Sequence, residues 1–129
     1  MNADSMDYQH KELTERIIGA FYSVYNTLGY GFLEKVYQNA LVMELRTLGF
    51  SVCPQASIKV MYCGTEVGNY FADILVESRV LVEIKAAPSL LREHEAQLLN
   101  YLKATSIEVG LLLNFGPKAQ IKRMALKIN

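Results

Sequence analysis

The chain has 129 residues, 51% of them hydrophobic, with 13 basic residues set against 13 acidic ones and two cysteines. That length and apolar content suit one domain with one well-filled core, read here as a single domain over 1–129. No apolar run approaches the ~20 residues of a membrane span and the first residues are polar and charged, so the chain reads as soluble and cytoplasmic; the balanced charge withholds the basic excess usual in nucleic-acid binders.

Asn2 to Ser5 offer N-cap residues for a first helix, in which Leu13, Ile17, Ala20, Phe21 and Val24 recur at three- and four-residue steps. It should end near Asn26 to Gly31, where two glycines and an asparagine favour a cap and turn. A second helix is expected from about Leu33 to Leu48, with Val36, Ala40, Leu41, Met43 or Glu44, and Leu48 as its buried stripe and Gly49 as its stop. Glu34, Tyr37 and Leu41 share one side of it.

From Phe50 the period changes to two. Val52, the Gln55 to Met61 run and Tyr62 make one strand and Val67 to Val76 another, and Cys63-Gly64-Thr65 between them fits a two-residue hairpin connection. Without a secretory signal or CxxC spacing, Cys53 and Cys63 read as reduced core residues.

A third strand, Val80 to Ala86, is apolar on both faces through its first half and so belongs in the middle of a sheet. A helix over Arg92 to Ala104 and a second continuous apolar strand, Val109 to Phe115, should close a parallel crossover. Ile121 to Ile128 is read as an edge strand. The order predicts an α/β or α+β fold with a mixed sheet flanked by helices.

Chemistry belongs where polar groups interrupt apolar elements, because a buried charge needs a partner. Asp73 falls mid-strand, on the alternation of Phe71 and Leu75, and Glu83 and Lys85 share a face of the next strand. If the two strands are neighbours, Asp73 and Glu83 converge and Lys85 stands one pleat away. Such an oxygen pair suits magnesium or manganese, with waters, a phosphate oxygen and the carbonyl of Ile84 as further ligands. Phosphodiester hydrolysis would use the cation as Lewis acid and Lys85 to orient water or steady developing charge. The plainer alternative is an ion pair between Glu83 and Lys85, with Asp73 capping a turn.

Asp73 followed ten positions later by Glu83-Ile84-Lys85 resembles the signature of the PD-(D/E)xK nuclease superfamily. Gln97-Leu98-Leu99-Asn100-Tyr101 looks like the Q-x-x-x-Y motif of its RecB-like exonuclease branch, and Gly31-Phe32-Leu33-Glu34-Lys35-Val36-Tyr37 resembles the motif of the GxxExxY proteins. The likeness runs from about Ile17 to Phe115, with Ala72 in place of the motif's proline. It implies a restriction-endonuclease-like mixed sheet flanked by helices and a magnesium-dependent nuclease acting on DNA ahead of RNA. Glu34 would join Asp73 and Glu83 at the metal, Lys85 would be the catalytic lysine, and Gln97 and Tyr101 would position the nucleic-acid backbone or that lysine. A non-catalytic nucleic-acid-binding or protein-interaction module keeping the same fold is the alternative. Cutting both strands of a duplex with one site per chain would favour a two-fold homodimer.

Other residues carry bland readings. His94 is expected to be exposed and uninvolved, and Tyr22, Tyr25 and Tyr30 to be core or rim residues rather than base-stacking platforms. The basic tail Lys118, Lys122, Arg123 and Lys127 is read first as protection of an edge strand and second as a phosphate track.

Overall fold

A computed structural model describes residues 3–126. Helix α1 (Ala3–Leu28) and helix α2 (Glu34–Thr47) precede a hairpin of β1 (Val52–Tyr62) and β2 (Thr65–Val76). Strand β3 (Val80–Lys85), helix α3 (Arg92–Thr105), strand β4 (Val109–Phe115) and strand β5 (Ala119–Ala125) follow. The five strands lie in sequence order, with β3 and β4 parallel and every other pair antiparallel. This is the mixed sheet expected from the order of elements.

Helices cover both faces. Leu13, Ile17, Ala20, Phe21 and Val24 of α1 and Tyr37, Leu41 and Leu45 of α2 pack on Val80, Val82 and Ile84 of β3 and on Leu111, Leu113 and Phe115 of β4. On the opposite face, Leu98 and Leu102 of α3 meet Ala56, Ile58, Leu81 and Leu112. The apolar content of β3 and β4 follows from this double coverage. At Gly110 a Cβ would come within 2.8 Å of Leu98 Cδ1, so its absence lets α3 settle onto the sheet.

Helix α1 stops at Leu28, where Gly29 takes a left-handed φ of 68°. The N-cap proposed around Asn2 lies at the edge of the described residues; Asn2 itself is outside them, while Ser5 is already helical. The expected stripe of α2 is corrected: Val36, Met43 and Leu48 are exposed, and Tyr37, Gln38, Leu41, Val42 and Leu45 are the buried set. A helix rotated by this much gains the Tyr37 ring, stacked on Phe115 at 4.3 Å and 14°. Its polar Gln38 is satisfied at depth by Gln55 Nε2, which donates to Gln38 Oε1 at 2.7 Å.

Cys63 and Gly64, with φ of 50° and 78°, form the two-residue turn between paired Tyr62 and Thr65. The cysteines are free but exposed rather than core, because Cys53 lies on the outer edge strand and Cys63 in the turn. Edge strand β5 starts at Ala119, two residues ahead of the expectation, since Phe115 already pairs with Ala119 across a short turn; Ile128 is outside the described residues. Only Ile74 to Val76 of β2 pair with β3, so the rest of the β1/β2 hairpin projects beyond the sheet.

Candidate functional site

The site forms where β2 and β3 stop sharing backbone hydrogen bonds. Pairing holds for Ile74 with Val82 and then ends. At the next rung side chains replace the ladder: the Asp73 amide donates to Glu83 Oε1 at 3.0 Å, and the Ile84 amide donates to Asp73 Oδ2 at 2.7 Å. Each carboxyl thereby satisfies an amide that the divergence frees, and both are fixed in place by it.

The expected alternation of Phe71, Asp73 and Leu75 breaks at this point. Ile74 and Val76 face α1 and α2, whereas Ala72 and Leu75 both pack on the α3 side. Opposite Asp73 on β1, Gln55 has a left-handed φ of 53°, and neither residue pairs with the other in the ladder. Gln55 and Lys35 both stand near enough to Asp73 to favour its ionised form.

Electrostatics mark the pair. Burial pushes the Asp73 carboxyl up, against the opposing pull of the Ile84 amide and of Lys85. Glu83 is only 4% exposed, and burial together with the Asp73 charge raises it from 4.5 to about 7. The charge of Glu34, at the start of α2, is a smaller contributor to the same rise. Burial first, and the nearby Glu83 charge second, keep the Tyr101 hydroxyl protonated above its ordinary value.

Lys85 does not form the ordinary ion pair with Glu83. Among the described residues the salt bridge found is Lys122 with Glu95, at 3.8 Å between exposed side chains, which ties an edge-strand lysine to α3. The Lys85 ammonium instead donates to Gln97 Oε1 at 3.2 Å, and Gln97 Nε2 donates to the Tyr101 hydroxyl at 3.1 Å. Gln97 and Tyr101 are one helical turn apart on α3, so a single face of that helix holds the chain Lys85, Gln97, Tyr101. An ammonium has three donors, so two remain for water or a phosphate oxygen.

Glu34 is exposed at the first position of α2, on the side shared with Tyr37 and Leu41. Tyr37 anchors the approach to it: its hydroxyl donates to the Gly29 carbonyl at 2.6 Å and accepts from the Phe32 amide at 3.1 Å. Among the described residues no three acidic, histidine or cysteine side chains close into a ready-made metal cage. Asp73 and Glu83 are thus the carboxylates brought together, with Glu34 acting on Glu83 electrostatically from the helix end. Two crowded, desolvated carboxylates with raised pKa values are a donor set that a hard divalent cation relieves, and magnesium is usually held by one or two carboxylates plus water.

A model of the PD-(D/E)XK nuclease superfamily matches residues 11–124. The chain belongs to the PD-(D/E)XK nuclease superfamily. Among solved structures, the crystal structure of SSO0001 is similar to it with a TM-score of 0.55 and 20% sequence identity, covering 74% of this chain and 50% of that one. This PD-(D/E)XK chain therefore spans half the length of that protein and shares its fold, a restriction-endonuclease-like mixed sheet of five strands flanked by helices. No curated protein matches the chain.

Several residues that shape the surroundings of Asp73, Glu83 and Lys85 escape a reading of motifs. Asn114 is fully buried in β4, and its side chain accepts from the Ala87 amide at 2.9 Å and donates to the Ala87 carbonyl at 3.0 Å. It also donates to Gln120 Oε1 at 3.0 Å, which accepts from the Leu90 amide at 3.0 Å. This clamp fixes the turn between β3 and α3 and so the placement of Gln97 over Lys85. An asparagine in an otherwise apolar strand was its available signal. Gln38 and Gln55 gave less, since glutamine is common on surfaces. His94 is structural: its Nδ1 accepts from the Leu91 amide at 3.0 Å and caps α3. Tyr25 donates to the Gly116 carbonyl at 2.7 Å, as a rim residue does.

Proposed function

We propose that the chain is a magnesium- or manganese-dependent nuclease that hydrolyses phosphodiester bonds in nucleic acid, DNA ahead of RNA. The observation that carries this reading is the meeting of two desolvated carboxylates, Asp73 and Glu83, with a lysine held apart from them by Gln97. Membership of the PD-(D/E)XK superfamily supports phosphodiesters as the substrate class. The Q-x-x-x-Y and GxxExxY resemblances refine it toward the RecB-like branch and give Glu34 and Gln97 roles at the centre.

Asp73, Glu83 and the Ile84 carbonyl would hold the cation, with Glu34 reaching it through water. When bound, the cation supplies Lewis-acid polarisation of the phosphoryl group. Asp73 and Glu83 keep their geometry through the Ile84 and Asp73 amides, so little reorganisation accompanies ionisation. Lys85 aims its free donors at water or at a phosphate oxygen and steadies negative charge as it develops. Gln97 holds Lys85 from behind, and the neutral Tyr101 hydroxyl holds Gln97. Cleavage of both strands of a duplex would call for a two-fold dimer.

The test is a calorimetric manganese titration of wild type against Asp73→Asn, both verified as folded, followed by cleavage assays on single-stranded DNA, duplex DNA and RNA. Saturable binding lost in the variant, with metal-dependent cleavage by wild type, supports the reading. Identical titrations and no cleavage would favour a non-catalytic module that keeps the fold.

A further inference from the structure

Beyond the sheet, the projecting β1/β2 hairpin and the outer side of α3 enclose a cleft of about 880 Å³. Val60 and Met61 of β1 and Tyr70 of β2 form one wall, and Ala96, Gln97 and Asn100 belong to the other. The cleft is continuous with the site already described, because Gln97 and Tyr101 line it while Gln97 also accepts from Lys85. Its lining also includes a cation, Lys103, and, nearly three turns away at the other end of the same helix, Glu93.

Tyr70 is the aromatic of the hairpin wall, and it is 52% exposed. Its ring leans on that of Tyr101 at 5.8 Å and 39°. It also lies back along β2 over Gly68, where an added Cβ would come within 3.3 Å of Tyr70 Cε2. The ring is therefore supported by Tyr101 and by bare backbone while still open to the cleft. Gln97 and Asn100 offer amide donors and acceptors beside it, and aliphatic groups of Val60, Met61 and Ala96 face it. A flat heteroaromatic with hydrogen-bonding edges, attached to a phosphate that Lys103 can meet, matches these surroundings.

We propose that this cleft receives an unpaired base of the strand being cut, stacked on Tyr70, and that the preferred substrate is accordingly single-stranded DNA. The inference rests on the nuclease reading for the direction of the strand, which passes from the cleft along Gln97 to Lys85 and the carboxylates. A base within a duplex is stacked on both faces and paired along its edge, and reaches such a cleft only after extrusion. A single strand presents its bases at no such cost, and one base on one aromatic ring is a sequence-tolerant contact.

The test uses the whole chain without divalent cation, so that binding is read apart from turnover. Fluorescence anisotropy compares a single strand of about a dozen nucleotides, an abasic strand of equal length and the duplex. A second strand carries 2-aminopurine, whose fluorescence falls when the base stacks. Wild type should bind the normal strand about tenfold more tightly than the abasic one and quench the probe, an effect of the size that one stacked base supplies. Tyr70→Ala should lose that preference and the quenching, with affinity for the abasic strand unchanged, and Tyr70→Phe should restore both. Equal binding of normal and abasic strands by wild type, tighter binding of duplex, or unaltered quenching in a folded Tyr70→Ala would overturn the proposal. Cleavage by wild type with indifferent Tyr70 variants sinks only the stacking contact, whereas stacking without cleavage in manganese sinks only the nuclease reading.

Discussion

The Asp73 amide donates to the Glu83 carboxylate at 3.0 Å, one rung past the last backbone pair of their two strands. The strands separate there, and the carboxylates that a cation would need are the groups that mend the broken ladder. Site and fold thus share the same hydrogen bonds, which gives the site pre-set geometry and ties its protonation to folding.

Glu83 carries the pH dependence. Its folded value of about 7 lies above the ordinary 4.5, so between these limits the folded protein keeps a proton that the unfolded chain releases. Stability from this group therefore falls as pH rises through that window, by roughly 3 kcal/mol in all. Cation binding needs the ionised form, so affinity runs the opposite way and increases as pH rises through about 7. Thermal melts of the metal-free protein from about pH 5 to about pH 8 should show the decline, and Glu83→Gln, which still accepts from the Asp73 amide, should flatten it. A metal-free wild type that gains stability across that range would contradict the assignment.

Asp73→Asn separates charge from structure. An asparagine oxygen accepts from the Ile84 amide as the carboxylate does, so the fold should stand. Removing the charge also removes one of the two main causes that raise Glu83, whose carboxyl should then titrate lower. Cleavage should fall by roughly a hundredfold or more, as when a preorganised charge-stabilising group is lost. Carbon-13 NMR of the glutamate side chains would report the Glu83 shift independently of any turnover. An unmoved Glu83 titration in the variant would show that the Asp73 charge does not reach it.

The strands that carry Asp73, Glu83 and Lys85 were legible because charged residues interrupt apolar runs whose alternation fixes strand and neighbour. Gln97 and Tyr101 were legible because a helix brings i and i+4 together. The expected face of α2 differs from the buried one for a physical reason: Val36, Met43 and Leu48 are as apolar as the Leu41, Val42 and Leu45 that the fold buries, but stacking of Tyr37 on Phe115 and the bond between Gln38 and Gln55 decide the rotation. Neither is visible in the period of one helix. The switch of faces at Asp73 was hidden for a similar reason, since it depends on a left-handed Gln55 in the strand across from it.

Gln97→Ala should weaken catalysis without dismantling the centre. It frees the Lys85 ammonium from its 3.2 Å contact and leaves the Tyr101 hydroxyl without its partner, while Asp73 and Glu83 keep theirs. Loss of a positioning bond of this kind should cost about tenfold in kcat, against roughly a thousandfold for Lys85→Ala, which removes the charge itself. Manganese affinity should be nearly unchanged in Gln97→Ala. Equal losses for the two variants would mean that Gln97 has a direct part in the chemistry.

Asn114 sets the stage for that contact from inside β4. Its side chain answers both the amide and the carbonyl of Ala87 and is itself fully buried. Asn114→Ala leaves two backbone groups without partners, at a combined cost of about 3 kcal/mol. The melting temperature should then drop by roughly 10 °C, with a folded protein still recovered at room temperature. Asn114→Asp is the informative companion: it retains an acceptor for the Ala87 amide but meets the Ala87 carbonyl with a charge, so it should be at least as destabilising as alanine. If the melting temperatures of both variants matched wild type, the turn between β3 and α3 would be held by its backbone alone, and the aim of Gln97 at Lys85 would need another cause.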